Sequence, residues 1–247
     1  MRNPWNLCKY GYKFQLNCET MKTVFSDFVS LFFPRYCLAC AGSLVKGEEI
    51  ICTLCISDFP KTNYHMLATN PLEQRLAGRL PVKNALAFLK FKKDGIVQRL
   101  LHQLKYNNHP EVGLSLGRIF GHELKNSGFV AEFDLIVPVP LHESRRRKRG
   151  YNQSSKFAEG LSYSLNVPWS ETVSIRKGKT QTQTRKSKME RWENVKDVFS
   201  ISGSLTGRKI LLVDDVITTG ATVEACGKHI VEGGCAELSV ACIAAVQ

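Results

Sequence analysis

Apolar residues recur along this chain with two periods, and the change of period marks its elements. Ile210 to Val213 are four apolar residues in a row, the pattern of a strand buried on both faces. Ala85–Phe91, Phe133–Leu141, Thr172–Ile175 and Leu238–Val246 are further runs that predict strands. Pro138 and Pro140 end the ladder of Phe133–Leu141, because proline has no N–H to donate. Helical spacing takes over at Ile96, Val97, Leu100, Leu101 and Leu104, with Asp94 placed to cap that helix. Pro110 to Lys125 predicts a second helix. Phe157, Ala158, Leu161 and Leu165 form the face of a third, and Val223 to Glu232 has helical character. Near the start, Val24, Phe25, Phe28, Val29 and Phe32 fit a short amphipathic helix that Pro34 stops. Strands alternate with helices from Phe133 onward, which predicts an α/β fold with a parallel sheet flanked by helices.

Other stretches break this pattern. Residues 1–20 are polar and irregular, and every structured signal begins after Met21. The native start is therefore expected at Met21, with 1–20 a disordered or mis-started extension. Arg176–Lys188 contains no apolar residue and predicts a mobile loop, before Trp192–Phe199 returns to the core. Asn70-Pro71 and Pro81 mark a linker. The expected organisation is an extension over 1–20, a small module over 21–68 and a larger domain over 69–247.

Charge narrows the partners. The formal net charge is +12 and the pI is near 9.3, which favours an anionic partner over a neutral one. Arg145 to Arg149 are five consecutive cations in the loop His142–Gln153. They suit a diphosphate or a nucleic-acid backbone, with a solvated charge run as the alternative. No run of 18 uninterrupted apolar residues is present, so no membrane span is expected. Nine cysteines, an odd count containing two C-x-x-C pairs, do not read as a secreted disulfide framework. A cytoplasmic protein with reduced thiols is expected.

Cys37, Cys40, Cys52 and Cys55 form those two pairs, with eleven residues between them. Four thiolates can close a tetrahedral zinc site and leave no open position, so the site would be structural. A redox pair or four buried cysteines are the other readings. His65 lies too far along to be needed as a ligand and reads as a surface residue.

The organising stretch is Ile210–Thr222. Asp214 and Asp215 stand where the apolar strand would leave the sheet, and Thr218, Thr219, Gly220, Ala221 and Thr222 make a tight turn into a helix. Such a turn offers free backbone N–H groups and a positive dipole end to a phosphate. Two adjacent carboxylates would repel that phosphate, so sugar hydroxyls suit them better. A phosphorylated sugar satisfies both halves.

Ile210–Thr222 closely resembles the phosphoribosyl diphosphate (PRPP) loop of type I phosphoribosyltransferases. From Met21 onward the chain is similar to the ComF family of competence proteins, in which a four-cysteine zinc module precedes such a domain. The matching residues are the four cysteines, Leu104-Lys105-Tyr106, Pro138–Leu141, Arg145, Arg149–Gln153, Arg176, Gln183, Arg191, Asn194-Val195, Phe199 and the PRPP loop. The resemblance implies a zinc-ribbon-like module ahead of a phosphoribosyltransferase-like sheet. It implies structural zinc, PRPP with Mg²⁺, and Asp214 and Asp215 on the ribose hydroxyls. Thr218 to Thr222 would hold the ribose phosphate, and Val139, Pro140, Leu141, Arg145 and Arg149 the diphosphate. Arg176, Gln183 and Arg191 would belong to a flexible closing loop. The implied function is phosphoribosyl transfer to an unidentified acceptor, linked to DNA uptake. A non-catalytic competence factor binding single-stranded DNA or a DNA-processing protein, with PRPP or a nucleotide as ligand, is the alternative. A glutamine-dependent amidotransferase is not expected, since Arg2 and not cysteine follows Met1.

Overall fold

The computed structural model describes residues 34–129, 132–176 and 199–246. The predicted helix at Val24–Phe32, residues 1–20, and the loop positions Gln183 and Arg191 lie outside them. Four parallel strands form the central sheet in the order β1-β6-β5-β2: β1 (Ala85–Phe91), β6 (Glu237–Val246), β5 (Lys209–Ile217) and β2 (Leu135–Pro138). Side chains alternate across it with the period of a pleated strand. Ile210 and Leu212 enter one core, while Leu211 and Val213 enter the other. This is why Ile210–Val213 has no polar residue: both faces are covered.

Helices α3 (Ile96–Tyr106), α4 (Pro110–Asn126) and α6 (Gln153–Leu165) cover one face. Helices α2 (Pro71–Leu76) and α7 (Ala221–Glu232) cover the opposite face. α4 and α6 approach closely through Gly113, Gly117 and Gly121 on α4, which face Lys156, Gly160 and Ser164. The strands β3 (Ser174–Arg176) and β4 (Phe199–Ile201) form a separate antiparallel pair.

Both edges of the sheet are covered, which blocks pairing with another chain. Residues 60–62 run antiparallel along β1, with Pro60 accepting from Lys90 N and Thr62 N donating to Phe88. Residues 168–170 pair with Ile136 on β2. Near the N-terminus, α1 (Thr53–Ser57) carries Cys55, and Cys37, Cys52, Cys55 and Phe59 join the same core as Phe88, Leu100 and Leu101. Arg99 Nε donates to the Ala39 carbonyl at 2.7 Å, a second tie between this module and α3.

Several expectations are corrected here. Asp94 does not cap α3. It has φ 60, and Gly95 stands at the cap position without a side-chain bond. His142–Gln153 is not all loop, because Glu143–Arg149 forms the helix α5. His142 accepts from Ser144 N at its start, and Gly150 turns left-handed at its end with φ 79. His65 is not a surface residue. Its ring lies edge-on to Phe120 and Phe129, and neither ring nitrogen has a partner among the described residues. Burial accordingly pushes its pKa down.

Candidate functional site

β2 ends at Pro138, opposite Val213, but β5 stays paired with β6 as far as Ile217. Asp214 and Asp215 therefore do not leave the sheet, as the sequence suggests. They occupy the step where β5 has lost one neighbour and kept the other. Ser154 Oγ, at the start of α6, donates to Asp214 Oδ1 at 3.0 Å, and Asp215 N donates to the same oxygen at 2.8 Å. Lys105 Nζ, near the end of α3, lies 2.9 Å from Asp215 Oδ2. Burial, and secondly the charge of Asp215, raise the Asp214 pKa to about 7, against the weaker pull of these donors. Asp214 is thus poised to take or release a proton near neutral pH.

The turn after β5 is built on Gly220, which has φ 80 and precedes the first residue of α7. That backbone conformation favours glycine. A Cβ there would also lie 3.0 Å from Leu76 Cδ2. Thr218, Thr219, Ala221 and Thr222 are exposed around it. Beneath the turn, Arg75 Nη1 donates to Thr218 O at 2.6 Å and Arg79 Nη1 to Thr219 O at 2.8 Å.

Lys105, the partner of Asp215, also lines a cavity of about 490 Å³ together with Tyr106, Arg145, Arg147, Lys148 and Arg149 among others. Its charge follows from α5, whose run of cations has no apolar residue to bury. Arg149 donates to Gln153 Oε1 at 2.7 Å and stacks over the Tyr106 ring at 5.4 Å. Arg146 pairs with Glu171 and Arg147 with Glu143. Arg145 and Lys148 have no side-chain partner among the described residues. Val139, Pro140 and Leu141 link β2 to α5 on this same edge. Val139 N donates to Val213 O, and its carbonyl accepts from Asn152 Nδ2 at 2.9 Å. A smaller cavity of about 240 Å³, lined by Lys83, Glu132, Lys209 and Glu237, opens at the opposite edge of the sheet.

The four Sγ atoms of Cys37, Cys40, Cys52 and Cys55 lie within 4.8 Å of one another. Cys40 and Cys52 Sγ are 3.8 Å apart, close to the roughly 3.8 Å separation of sulfurs around a tetrahedral zinc. Backbone N–H groups point at the sulfurs: Ala39 and Cys52 at Cys37, Gly42 at Cys40, and Cys55 at Cys52. Burial disfavours the Cys37 thiolate, but these N–H groups outweigh it and lower its pKa to about 7. Burial and the neighbouring sulfurs push Cys55 up instead. Negative charge unshared among four thiols is what a bound cation relieves, so the donor set fits a metal such as zinc.

Among the described residues singled out from the sequence, all but Arg176 fall at two places, the C-terminal edge of the sheet and the cysteine cluster. Arg176 contributes backbone to β3, away from the central sheet. Sequence reasoning assigned no role to Lys105, Ser154, Arg75 or Arg79. Lys105 had a signal, since it stands inside the Leu104-Lys105-Tyr106 block. Arg75 and Arg79 had none: their partners lie more than a hundred residues away.

Residues 152–247 match the family described as the phosphoribosyl transferase domain. The DNA utilization protein YhgH of Escherichia coli is 28% identical over 226 residues, which are 85% of this chain and 96% of that one. Competence protein F of Haemophilus influenzae has the same identity and coverage. Among solved structures, glutamine PRPP amidotransferase from B. subtilis, complexed with ADP and GMP, is 22% identical with a TM-score of 0.42. The match covers 57% of this chain and 30% of that one. The chain is a homologue of DNA utilization and competence proteins, as the ComF resemblance implied, and it carries a phosphoribosyl transferase domain. Among the described residues no helix is long and apolar enough to cross a membrane.

Proposed function

We propose that this homologue of the competence proteins binds PRPP with Mg²⁺ at the C-terminal edge of its sheet. It transfers the phosphoribosyl group to an acceptor that serves the handling of incoming DNA. One observation carries the reading: Asp214 and Asp215 lie on β5 just ahead of the Gly220 turn, and Asp215 pairs with Lys105, which lines the cationic cavity. A ribose between two phosphate groups needs that order of donors and acceptors.

In this reading the backbone of Thr218 to Thr222 cradles the 5-phosphate. Asp214 and Asp215 accept hydrogen bonds from the ribose hydroxyls and favour positive charge developing at the anomeric carbon. Val139, Pro140, Leu141, Arg145 and Arg149 hold the diphosphate, and Lys105 adds a cation between the two ends. Mg²⁺, when bound with PRPP, neutralises charge on the departing diphosphate. Cys37, Cys40, Cys52 and Cys55 hold one structural zinc.

Calorimetric titration with Mg²⁺ and PRPP, followed by assay of diphosphate release, tests the proposal. Saturable binding is expected, with release once a competent acceptor is added. No binding would remove the assignment. Arg145 and Lys148, which have no side-chain partner among the described residues, favour a second reading, in which PRPP or a nucleotide is a ligand only and the cationic cavity holds single-stranded DNA or a DNA-processing partner. Salt-dependent binding of single strands without any diphosphate release supports that reading.

A further inference from the structure

We infer that Arg75 and Arg79 are positioning residues for the Thr218–Thr222 turn, holding its peptide groups so that their N–H bonds face an anion. The inference rests on the reading of this turn as a phosphate cradle. It adds a brace supplied by residues 70–80, outside the matched 152–247 domain.

The brace is fixed before it reaches the loop. Asn70 Oδ1 accepts from Leu72 N and Glu73 N at 3.0 Å, and Glu73 Oε2 accepts from Asn70 N at 3.2 Å. This reciprocal cap starts α2. The same two side chains also bind the first residue of β1: Asn70 Nδ2 donates to Ala85 O at 3.0 Å, and Glu73 Oε1 accepts from Ala85 N at 3.4 Å. Leu72 and Leu76 are buried beneath the sheet. α2 therefore cannot slide against β1 without breaking its own cap.

From this anchored helix Arg75 forks. Nη1 donates to Thr218 O at 2.6 Å and Nη2 to Val246 O at 2.7 Å, so one guanidinium joins the turn to the end of β6. Arg79 Nη1 donates to Thr219 O at 2.8 Å, and its Nε donates to Glu224 Oε2 at 2.9 Å in the first turn of α7. Every peptide bond here is trans. In a trans peptide the carbonyl and the following N–H point in opposite directions. Holding Thr218 O downward turns Thr219 N–H upward, and holding Thr219 O downward turns Gly220 N–H upward. Consecutive N–H groups on one side of a turn form an anion-binding concavity. The Arg75 guanidinium behind it raises the local potential without competing for the anion, while the Glu224 carboxylate offsets the charge of Arg79. A lysine cannot replace the fork, because one ammonium cannot reproduce the planar geometry that spans two fixed carbonyls.

Ribose 5-phosphate is the probe, since it carries the phosphate assigned to this turn and no diphosphate. Binding to the full chain is measured by calorimetry, with the Thr219 and Gly220 amide protons followed by NMR. In wild type both protons should move downfield on titration. In the Arg75→Ala/Arg79→Ala variant, affinity should fall by about tenfold or more, the two shifts should vanish, and Mg²⁺-diphosphate affinity should stay unchanged. Arg75→Lys and Arg79→Lys keep the charge and lose the fork. They should show the same loss of amide shifts with an unaltered melting temperature, and they carry the test if the alanine variant does not fold. Unchanged affinity and shifts in the lysine and alanine variants would overturn the inference while leaving the cradle in place. Absence of ribose 5-phosphate binding in wild type would overturn the cradle itself, and the brace with it.

Discussion

Asp214 sits where burial and a neighbouring carboxylate both oppose its ionisation. Its folded pKa of about 7 stands above the ordinary 3.8, so between these values the folded chain holds a proton that the unfolded chain has released. Stability of the ligand-free protein should therefore fall as pH rises through this window, by at most about 1.4 kcal/mol per pH unit from this group. Asp214→Asn should remove that contribution, and its advantage over wild type should grow from about pH 4 and level off above about pH 7. Urea unfolding across this range checks it, and parallel pH profiles would contradict it. The acid pair itself was legible, because two aspartates after four apolar residues have few bland explanations. Its environment was not. Ser154 and Lys105 come from helices far apart in the chain, and nothing in the sequence spacing brings them to Asp214 and Asp215. Gly220 was legible only as a small residue. Its φ of 80, and the 3.0 Å that would separate a Cβ there from Leu76 Cδ2, give it a structural role as well.

At the scale of elements, the close pair α4–α6 positions Ser154 by setting how near α6 lies to the sheet. A Cβ on Gly160 would stand 2.2 Å from Leu114 O, and one on Gly117 would stand 2.4 Å from Phe157 O. Both neighbours are backbone and cannot swing aside. Gly160→Val should cost about 3 kcal/mol, the upper part of the usual range for overpacking, measured by urea unfolding. A cost below about 1 kcal/mol would show that the helices separate easily. Hydrophobic period found both helices, and glycines at 113, 117 and 121 were the unused signal of their approach. Period failed for α5, which buries none of its residues. That helix rests on its ends, where His142 caps the start and Gly150 turns the chain at the finish. Period also missed how far β5 runs, because the pairing of Asp214 with Cys242 is made across the sheet and not along the chain.

At the scale of the molecule, the cysteine cluster and the sheet domain share one core, so the cluster's loss should be felt beyond it. Metal analysis should return about one zinc per chain, and chelation should lower the melting temperature of the whole protein. Full zinc content and an unchanged melting temperature in Cys37→Ser/Cys40→Ser would contradict this. Strands β1, β2, β5 and β6, helices α3, α4, α6 and α7, and the two groups of chemistry-bearing residues could be read from the sequence, since they depend on local runs, whereas α2 was read as linker and α5 as loop. Their joining through residues 60–62, 70–80 and Arg99 could not, since those contacts have no local pattern. The central claim is that the edge carrying Asp214, Asp215 and the Gly220 turn binds PRPP. Its most direct test is calorimetric titration of Mg²⁺-PRPP into wild type and into Asp214→Asn/Asp215→Asn. Each carboxylate–hydroxyl bond contributes roughly 1.5–3 kcal/mol, so the variant should bind about tenfold to a hundredfold more weakly. Equal affinity in the two proteins, or no binding to wild type at about 1 mM ligand, a free energy weaker than about −4 kcal/mol, would contradict it.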